Sequence, residues 1–365
     1  MKFSAEREAL LMPLQAVIGV VERRQTMPIL ANVLLIVGDD RVSVTATDLE
    51  VELVANMAID GGEAGEVTVP ARKLLDICRA LPERAVISLS LNGDKLSVRS
   101  GRSKFSLATL PAGEFPTVDE IAGGISTVMD QSALLRLLEK THFSMAQQDV
   151  RYYLNGLLLE TGENYVRAVA TDGHRLALCE VAAGGTEIAE RQVIVPRKGV
   201  LELHRLLGAK GQVRVELGAN HIRLQLEDIR FTSKLIDGRF PEYDRVIPSD
   251  GDNELLASRD LLKAALQRTA ILSNEKYRGI RLIIRRDGVV LQAHNPEQEE
   301  AEEELEVSYR GEDIEIGFNV NYLLDALGAI DSEEVSLSVV DGNSSCLLRE
   351  PQKEDCKYVV MPMRL

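Results

Sequence analysis

Tryptophan is absent from this 365-residue chain, and only 7 Phe and 8 Tyr supply aromatic rings. That shortage argues against a groove built on stacked single-stranded bases, where each aromatic platform contributes about 1 to 3 kcal/mol. No apolar run approaches the roughly 20 residues that span a bilayer, so no membrane partner is expected. The opening MKFSAEREALLMPL is charged and amphipathic, without the apolar core and small-residue cleavage site of a secretory signal, and the expectation is a cytoplasmic protein. Cysteine is scarce too. Cys78, Cys179, Cys346 and Cys356 lie far apart in no CxxC pattern, which points to reduced thiols rather than disulfides or zinc, with Cys78 and Cys179 in apolar runs as core residues. Catalytic signatures are missing as well: there is no P-loop, GxGxxG, HExxH or GxSxG. His174 beside Asp172 invites a hydrolase reading and an acidic run a magnesium site, but the histidines at 142, 174, 204, 221 and 294 give no second ligand at metal spacing. The expectation is a protein that is not an enzyme and uses no cofactor and no metal.

What the chain does contain is repetition. Residues 45–53 read TATDLEVEL and residues 169–178 read VATDGHRLAL, with LQAHNP at 291–296 a weaker echo. VTVPARKLLDICRAL (67–81) is answered by VIVPRKGVLELHRLL (193–207) and by IGFNVNYLLDALGAI (316–330). Pro70 to Pro196 is 126 residues, and both Val195 to Phe318 and Gly156 to Gly279 are 123. Such a period is too long for a solenoid unit of about 20 to 50 residues and matches a whole domain. We expect three similar domains, 1–121, 122–247 and 248–365, with junctions at Pro116–Gly124 and Pro248–Asn253, and rotational pseudo-symmetry around a centre that can hold something.

The fold class expected is α+β. Apolar residues at helical spacing, such as Leu10, Leu14 and Val17, predict helices over 5–24, 70–80, 131–142, 196–207, 258–270 and 319–330. Pro70 and Pro196 stand at first helical positions. Alternating runs between the helices predict strands, with hairpin turns at Asn92-Gly93 and Asp341-Gly342. Each domain thus reads as a doubled helix-plus-antiparallel-sheet unit with the helices on one side.

Charge placement contradicts charge sum. The net charge is −15, yet the six helical segments together carry +6, leaving −21 elsewhere. Arg72, Asp76 and Arg79 share a polar stripe, as do Lys198, Glu202 and Arg205, while Arg136 and Lys140 are one turn apart. For any single stripe an ordinary solvated face is the plainer reading, since surface helices are usually charged; the bias counts because it repeats in four of the six helices. Helices lining one surface of a ring would hold a polyanion inside and repel it elsewhere. With few aromatics for stacking, duplex phosphates are the better target, and contacts to them carry no sequence information.

MPILANVLL (27–35), RSGRSKFSLATLPAGEFP (99–116), FSMAQQDVRYYLNG (143–156), ATDGHRLA (170–177), VPRKGV (195–200), FTSKLIDGRFP (231–241), SNEKYRG (273–279), NPEQEEAEE (295–303) and YVVMPMRL (358–365) occur in order along the whole chain. In these segments the sequence resembles the bacterial DNA polymerase III beta subunit, or sliding clamp, family. The resemblance implies a non-catalytic processivity clamp: three similar domains per chain and two chains head to tail, with helices inside and sheets outside around duplex DNA. It also implies partners, namely a second copy as homodimer, the polymerase III catalytic subunit, an ATP-driven clamp loader, other polymerases, and mismatch-repair or ligase proteins.

The resemblance further implies three sites. Duplex DNA would meet Arg24, Arg72, Lys73, Gln148, Arg197 and Lys198. Ring closure would join Lys73, Arg102, Lys104, Phe105 and Leu107 of one chain to Ile271, Leu272, Glu297, Glu299, Glu300 and Glu303 of the other. Here the residues also speak for themselves: a basic and an apolar row on one strand would face an acidic run that lacks the glycine and alternating Asp/Asn of a calcium loop. A peptide pocket between the second and third domains would take Arg151, Leu154, Thr171, Gly173, His174, Arg175 and Leu176 from one stretch and Pro241, Arg245 and Val246 from another. Asn319, Tyr322 and Ser345 would join them, with Val359, Val360, Met361, Pro362, Met363, Arg364 and Leu365 from the terminus. Leu, Val and Met walls suit adaptable recognition of short apolar motifs. Asn343 stands where the family commonly has an apolar residue at the pocket edge. On the residues alone, VVMPMRL is simply a last strand and Asp172-Gly173-His174 a turn.

Overall fold

A computed structural model describes residues 1–21, 27–118, 124–183, 190–248 and 253–364. The first copy runs β1 (Lys2–Glu6), α1 (Arg7–Val17), β2 (Asn32–Val37), β3 (Arg41–Thr47), β4 (Val51–Ala58), β5 (Gly62–Glu63), β6 (Gly65–Pro70), α2 (Ala71–Ala80), β7 (Val86–Asn92), β8 (Lys95–Ser100) and β9 (Ser103–Ala108). The second runs β10 (Ile125–Asp130), α3 (Gln131–Thr141), β11 (Gly156–Thr161), β12 (Tyr165–Thr171), β13 (Arg175–Ala182), β14 (Arg191–Pro196), α4 (Arg197–Leu206), β15 (Gln212–Leu217), β16 (His221–Gln225) and β17 (Ile229–Lys234). The third runs β18 (Glu254–Ser258), α5 (Arg259–Thr269), β19 (Gly279–Arg285), β20 (Gly288–His294), β21 (Glu300–Glu306), β22 (Ile314–Asn319), α6 (Val320–Ala329), β23 (Glu334–Ser338), β24 (Cys346–Arg349) and β25 (Cys356–Val360). Apart from the two-residue β5, the order is the same three times: strand, helix, four strands, helix, three strands.

That order corrects the sequence reading at the start of each copy. A helix was expected from residue 5, but β1 comes first and α1 begins at Arg7 and ends at Val17; the expected continuation through 22–24 lies outside the described residues. Phe3 is buried and β1 pairs with β7, just as β10 pairs with β15 and β18 with β23. Five residues leave too little alternation to reveal such a strand. The prolines shift by one place as well. Pro70 and Pro196 end β6 and β14, the outer strands of their sheets, where a missing N–H removes no ladder bond.

The chain divides into two compact units, and the division falls inside the second copy. One unit, Met1–Ser132 with Leu201–Leu235, holds a five-stranded sheet ordered β5-β1-β7-β8-β9 and an eight-stranded sheet ordered β10-β15-β16-β17-β4-β3-β2-β6. The other, Ala133–Val200 with Ile236–Leu365, holds an eight-stranded sheet ordered β14-β11-β12-β13-β25-β24-β23-β18 and a four-stranded one ordered β21-β20-β19-β22. Each eight-stranded sheet therefore takes strands from two successive copies, joined at β17–β4 (Phe231↔Leu53) and at β13–β25 (Leu176↔Val359).

Each helix buries one stripe: Leu10, Leu14 and Val17 of α1, Leu74, Leu75 and Cys78 of α2, Leu134, Leu137 and Leu138 of α3. No helix among the described residues is long and apolar enough to cross a membrane. The basic stripes are less uniform than expected. Lys140 is buried, donating to Ala329 O and pairing with Asp331, while half-buried Arg136 pairs with Asp331 and Asp355. Arg7 donates to Cys78 O and Arg79 O at the end of α2, Arg205 to Gln15 O and Ala16 O at the end of α1, and Arg259 to Ile330 O just past α6. The last carbonyls of a helix have no partner within it and carry partial negative charge, so these cations cap neighbouring helices rather than stand free in a stripe.

Candidate functional site

The repeated TD phrase is a side-chain-bonded turn. Thr171 Oγ1 donates to Arg175 O (2.6 Å) and accepts from Gly173 N (3.1 Å), while Asp172 Oδ1 accepts from His174 N (2.9 Å) and Arg175 N (3.0 Å). Thr47 and Asp48 repeat all four bonds with Val51 O, Leu49 N, Glu50 N and Val51 N. Both turns need a left-handed residue in third place: Gly173 at φ +88° and Leu49 at φ +78°. The third-copy echo differs, since Asn295 Oδ1 accepts from Glu299 N and Gln298 takes the positive φ.

In the second copy the turn closes one end of a cavity of about 170 Å³. Its wall includes Leu154, Thr171, Gly173, Leu176, Pro241, Val246, Val359 and Met361, together with Arg151 and Arg175. Arg151 forks onto both oxygens of Asp149 (3.1 and 2.9 Å), which draws that carboxyl down to about 2, and also reaches Asp172 O. A Cβ on Gly173 would stand 2.9 Å from the Arg151 guanidinium, so the glycine answers both a backbone angle and a close approach. Arg175 binds Asp172, Asp325 and Phe143 O.

The other expected pocket residues surround this wall without lining it. His174 O accepts from Met361 N, Ser345 Oγ contacts the Met361 sulfur at 2.9 Å, and Val360 is buried opposite Arg175. Tyr322 stacks under Arg175, Asn319 caps α6 through Asn321 N, and Met363 N donates to Gly317 O. Pro362 is half-buried; Arg364 is exposed, as is Arg245, which pairs with Glu242. Asn343 sits exposed in the Asp341–Ser344 turn and is not part of the wall. Leu365 lies outside the described residues.

Tyr153, Glu242 and Tyr243 also line the cavity and were not anticipated. Tyr243 is the informative one. Its hydroxyl accepts from Arg167 (2.8 Å) and donates to buried Glu160 (3.2 Å), and burial pushes it up to about 12. Its place two residues after Pro241, an aromatic ring among the charged Glu242, Asp244 and Arg245, was the available signal. The first copy puts Glu52 where the second has Leu176; that carboxylate is buried, accepts from Val118 N (2.8 Å) and is raised by its burial.

Two outer strands carry opposite charge. β9 ends the five-stranded sheet with Lys104 exposed, Phe105 half-buried and Leu107 already buried in its own sheet. Arg102 belongs to the preceding Gly101-Arg102 turn rather than to the strand, because Ser100 and Ser103 close a two-residue hairpin loop. β21 ends the four-stranded sheet with Glu300, Glu302, Glu304 and Glu306 exposed, whereas Glu303 pairs with Arg268. Glu297 and Glu299 occupy the turn before β21, and Glu299 is tied to Asn295. Ile271 is 75% exposed and Leu272 half-buried.

Of the residues expected to meet DNA, Lys73 is exposed on α2 and Arg72 donates to Val21 O. Gln148 is exposed in a left-handed turn at φ +56°, Arg197 donates to Met145 O, and Lys198 is half-buried. Arg24 lies outside the described residues.

Three family profiles match the chain, described as the N-terminal, central and C-terminal domains of the DNA polymerase III beta subunit, at residues 1–119, 128–242 and 244–364. A beta sliding clamp of Pseudomonas putida is 57% identical over 367 residues, covering 100% of both chains. One from Escherichia coli K12 is 53% identical with the same coverage. Among solved structures, the DNA polymerase III subunit beta of Pseudomonas aeruginosa matches with a TM-score of 0.97 at 55% identity over 100% of both chains, and a sliding clamp of that organism bound to griselimycin matches equally. A Caulobacter crescentus beta sliding clamp matches at 0.95 and 42% identity, covering 100% of this chain and 99% of that one.

Proposed function

We propose, because this chain belongs to the DNA polymerase III beta subunit family, that it is the processivity clamp of a bacterial replicase, a closed homodimeric ring that slides on duplex DNA. The observation that carries this reading is the full-length match at 57% identity to a beta sliding clamp. A sliding clamp catalyses nothing itself; it raises the effective concentration of its partners on the template. The working compartment is the cytoplasm, and the three domains divide near 121 and 247.

The ring closes where the basic, partly apolar edge at Lys104 and Phe105 meets the acidic edge at Glu300 and exposed Ile271. Opposite charges on two sheet edges favour pairing with each other over pairing with themselves. Arg24, Arg72, Lys73, Gln148, Arg197 and Lys198 face the phosphates, where contacts to the backbone permit sliding. The cavity beside Leu176, Val359 and Met361 receives short apolar motifs from the polymerase III catalytic subunit, other polymerases, the clamp loader and repair factors. Opening the ring falls to the loader.

Topology tests this reading. Protein loaded onto nicked circular DNA should stay bound until the circle is linearised and then slide off; retention on the linear product overturns encirclement.

A further inference from the structure

We propose that Cys179 and Cys356 form an oxidation site, in which a peroxide converts this cross-strand pair into a disulfide that fastens β13 to β25. The two lie 177 positions apart in the chain yet face each other in one antiparallel ladder. Met361 N donates to His174 O and Glu180 N to Asp355 O, and bonded pairs alternate along such a ladder. Cys179↔Cys356 is therefore a non-hydrogen-bonded position, where Cα atoms stand about 4.5 Å apart and side chains approach most closely. That spacing lies within the roughly 4.4 to 6.8 Å a disulfide bridges. The sulfurs are 2.6 Å apart, little beyond the covalent S–S length of about 2.05 Å.

Chemistry separates this pair from the other thiols. Burial pushes Cys78 and Cys346 each up to about 12, which keeps them inert. Cys356 is held below the ordinary thiol value by the hydrogen bond from Cys179 and by Arg136, whose guanidinium lies 3.8 Å from its sulfur, while Cys179 is pushed up. Cys356 is also the less buried of the two. It acts as the nucleophile: its thiolate attacks one peroxide oxygen, the O–O bond breaks, and the released hydroxide takes a proton and leaves as water. Cys179 sulfur then attacks the Cys356 sulfenic sulfur, the S–O bond breaks, and a second water leaves with the Cys179 proton. Two thiols lose two electrons and one hydrogen peroxide becomes two waters. A small-molecule thiol reverses the bond by exchange.

Leu176↔Val359, in the wall of the cavity, stands three residues along the same two strands. The disulfide therefore staples the seam on which the cavity is built. It can be tested on the full-length protein without DNA or peptide. After hydrogen peroxide treatment, titration in denaturant should find two free thiols instead of four, and a non-reducing peptide map should join the Cys179 and Cys356 peptides. The melting temperature should rise by several degrees and return with dithiothreitol. C179S and C356S should each abolish the cross-link, whereas C78S should leave it intact. Four surviving thiols, or Cys356 driven to sulfinic acid with no cross-linked peptide, overturns the proposal; the wild-type map decides this even if a serine variant fails to fold.

Discussion

Arg175 lays its guanidinium 4.6 Å from the centre of the Tyr322 ring while also holding Asp172 and Asp325. One cation thus ties the TD turn to α6. Arg175→Ala leaves two carboxylates without their partner and is expected to cost about 2 to 3 kcal/mol in urea unfolding. Tyr322→Leu, which removes the ring face under the guanidinium and keeps both ion pairs, should cost about 0.5 to 2 kcal/mol.

Gly173 and Leu49 occupy the same place in two copies of one turn, and they make a matched pair of predictions. Gly173→Ala places a Cβ at positive φ and against Arg151, so about 1 to 2 kcal/mol of stability should be lost, with weaker binding of a clamp-motif peptide by calorimetry. Leu49→Gly relieves the same strain on a side chain that is 40% exposed, and the urea midpoint should stay level or rise by about 0.5 to 1 kcal/mol equivalent.

The threefold repeat, six helices and TD turn were legible because they depend on local patterns: apolar spacing, and a threonine and an aspartate whose side chains bond the backbone that follows them. What stayed hidden was long-range. Nothing local in β4 and β17 shows that Leu53 pairs with Phe231, or in β13 and β25 that Cys179 meets Cys356. Tyr243 was missed for the same reason, since its partners Glu160 and Arg167 are distant in sequence. The basic stripes were read too generously because a sequence does not tell a cation in solvent from one capping a neighbouring helix, as Arg205 does.

Glu52 gives a pH signature. Burial raises its folded pKa above the ordinary 4.5, against the pull of Val118 N and Arg230. The folded chain then holds this proton more tightly than the unfolded chain, so the contribution favours folding at low pH and is lost as pH rises from about 4.5 through the folded value. Glu52→Gln should flatten that decline, and parallel pH profiles for the two proteins would contradict it.

Ile271→Ala should barely change unfolding of an isolated chain, because Ile271 is 75% exposed there, whereas Leu272→Ala adds a cost of its own because that side chain is already half-buried. In the proposed ring each truncation removes buried apolar area costing about 2 kcal/mol or more, and the double variant should sediment as monomer at concentrations where the parent is dimeric. An unchanged dimer would sink the interface.

Deleting Met363 to Leu365 removes the N–H that Met363 gives to Gly317 O. Peptide binding should fall at least tenfold in calorimetry while sedimentation still reports a dimer, separating the pocket from the ring closure.

The two eight-stranded sheets make the chain modular in one sense only. Its copies are successive in sequence, but a cut at a copy boundary strips β4 of β17 and β13 of β25, baring apolar strand edges on both fragments. A single copy expressed alone is thus an aggregation hazard, because each domain carries a strand edge that its neighbour in the chain must cover.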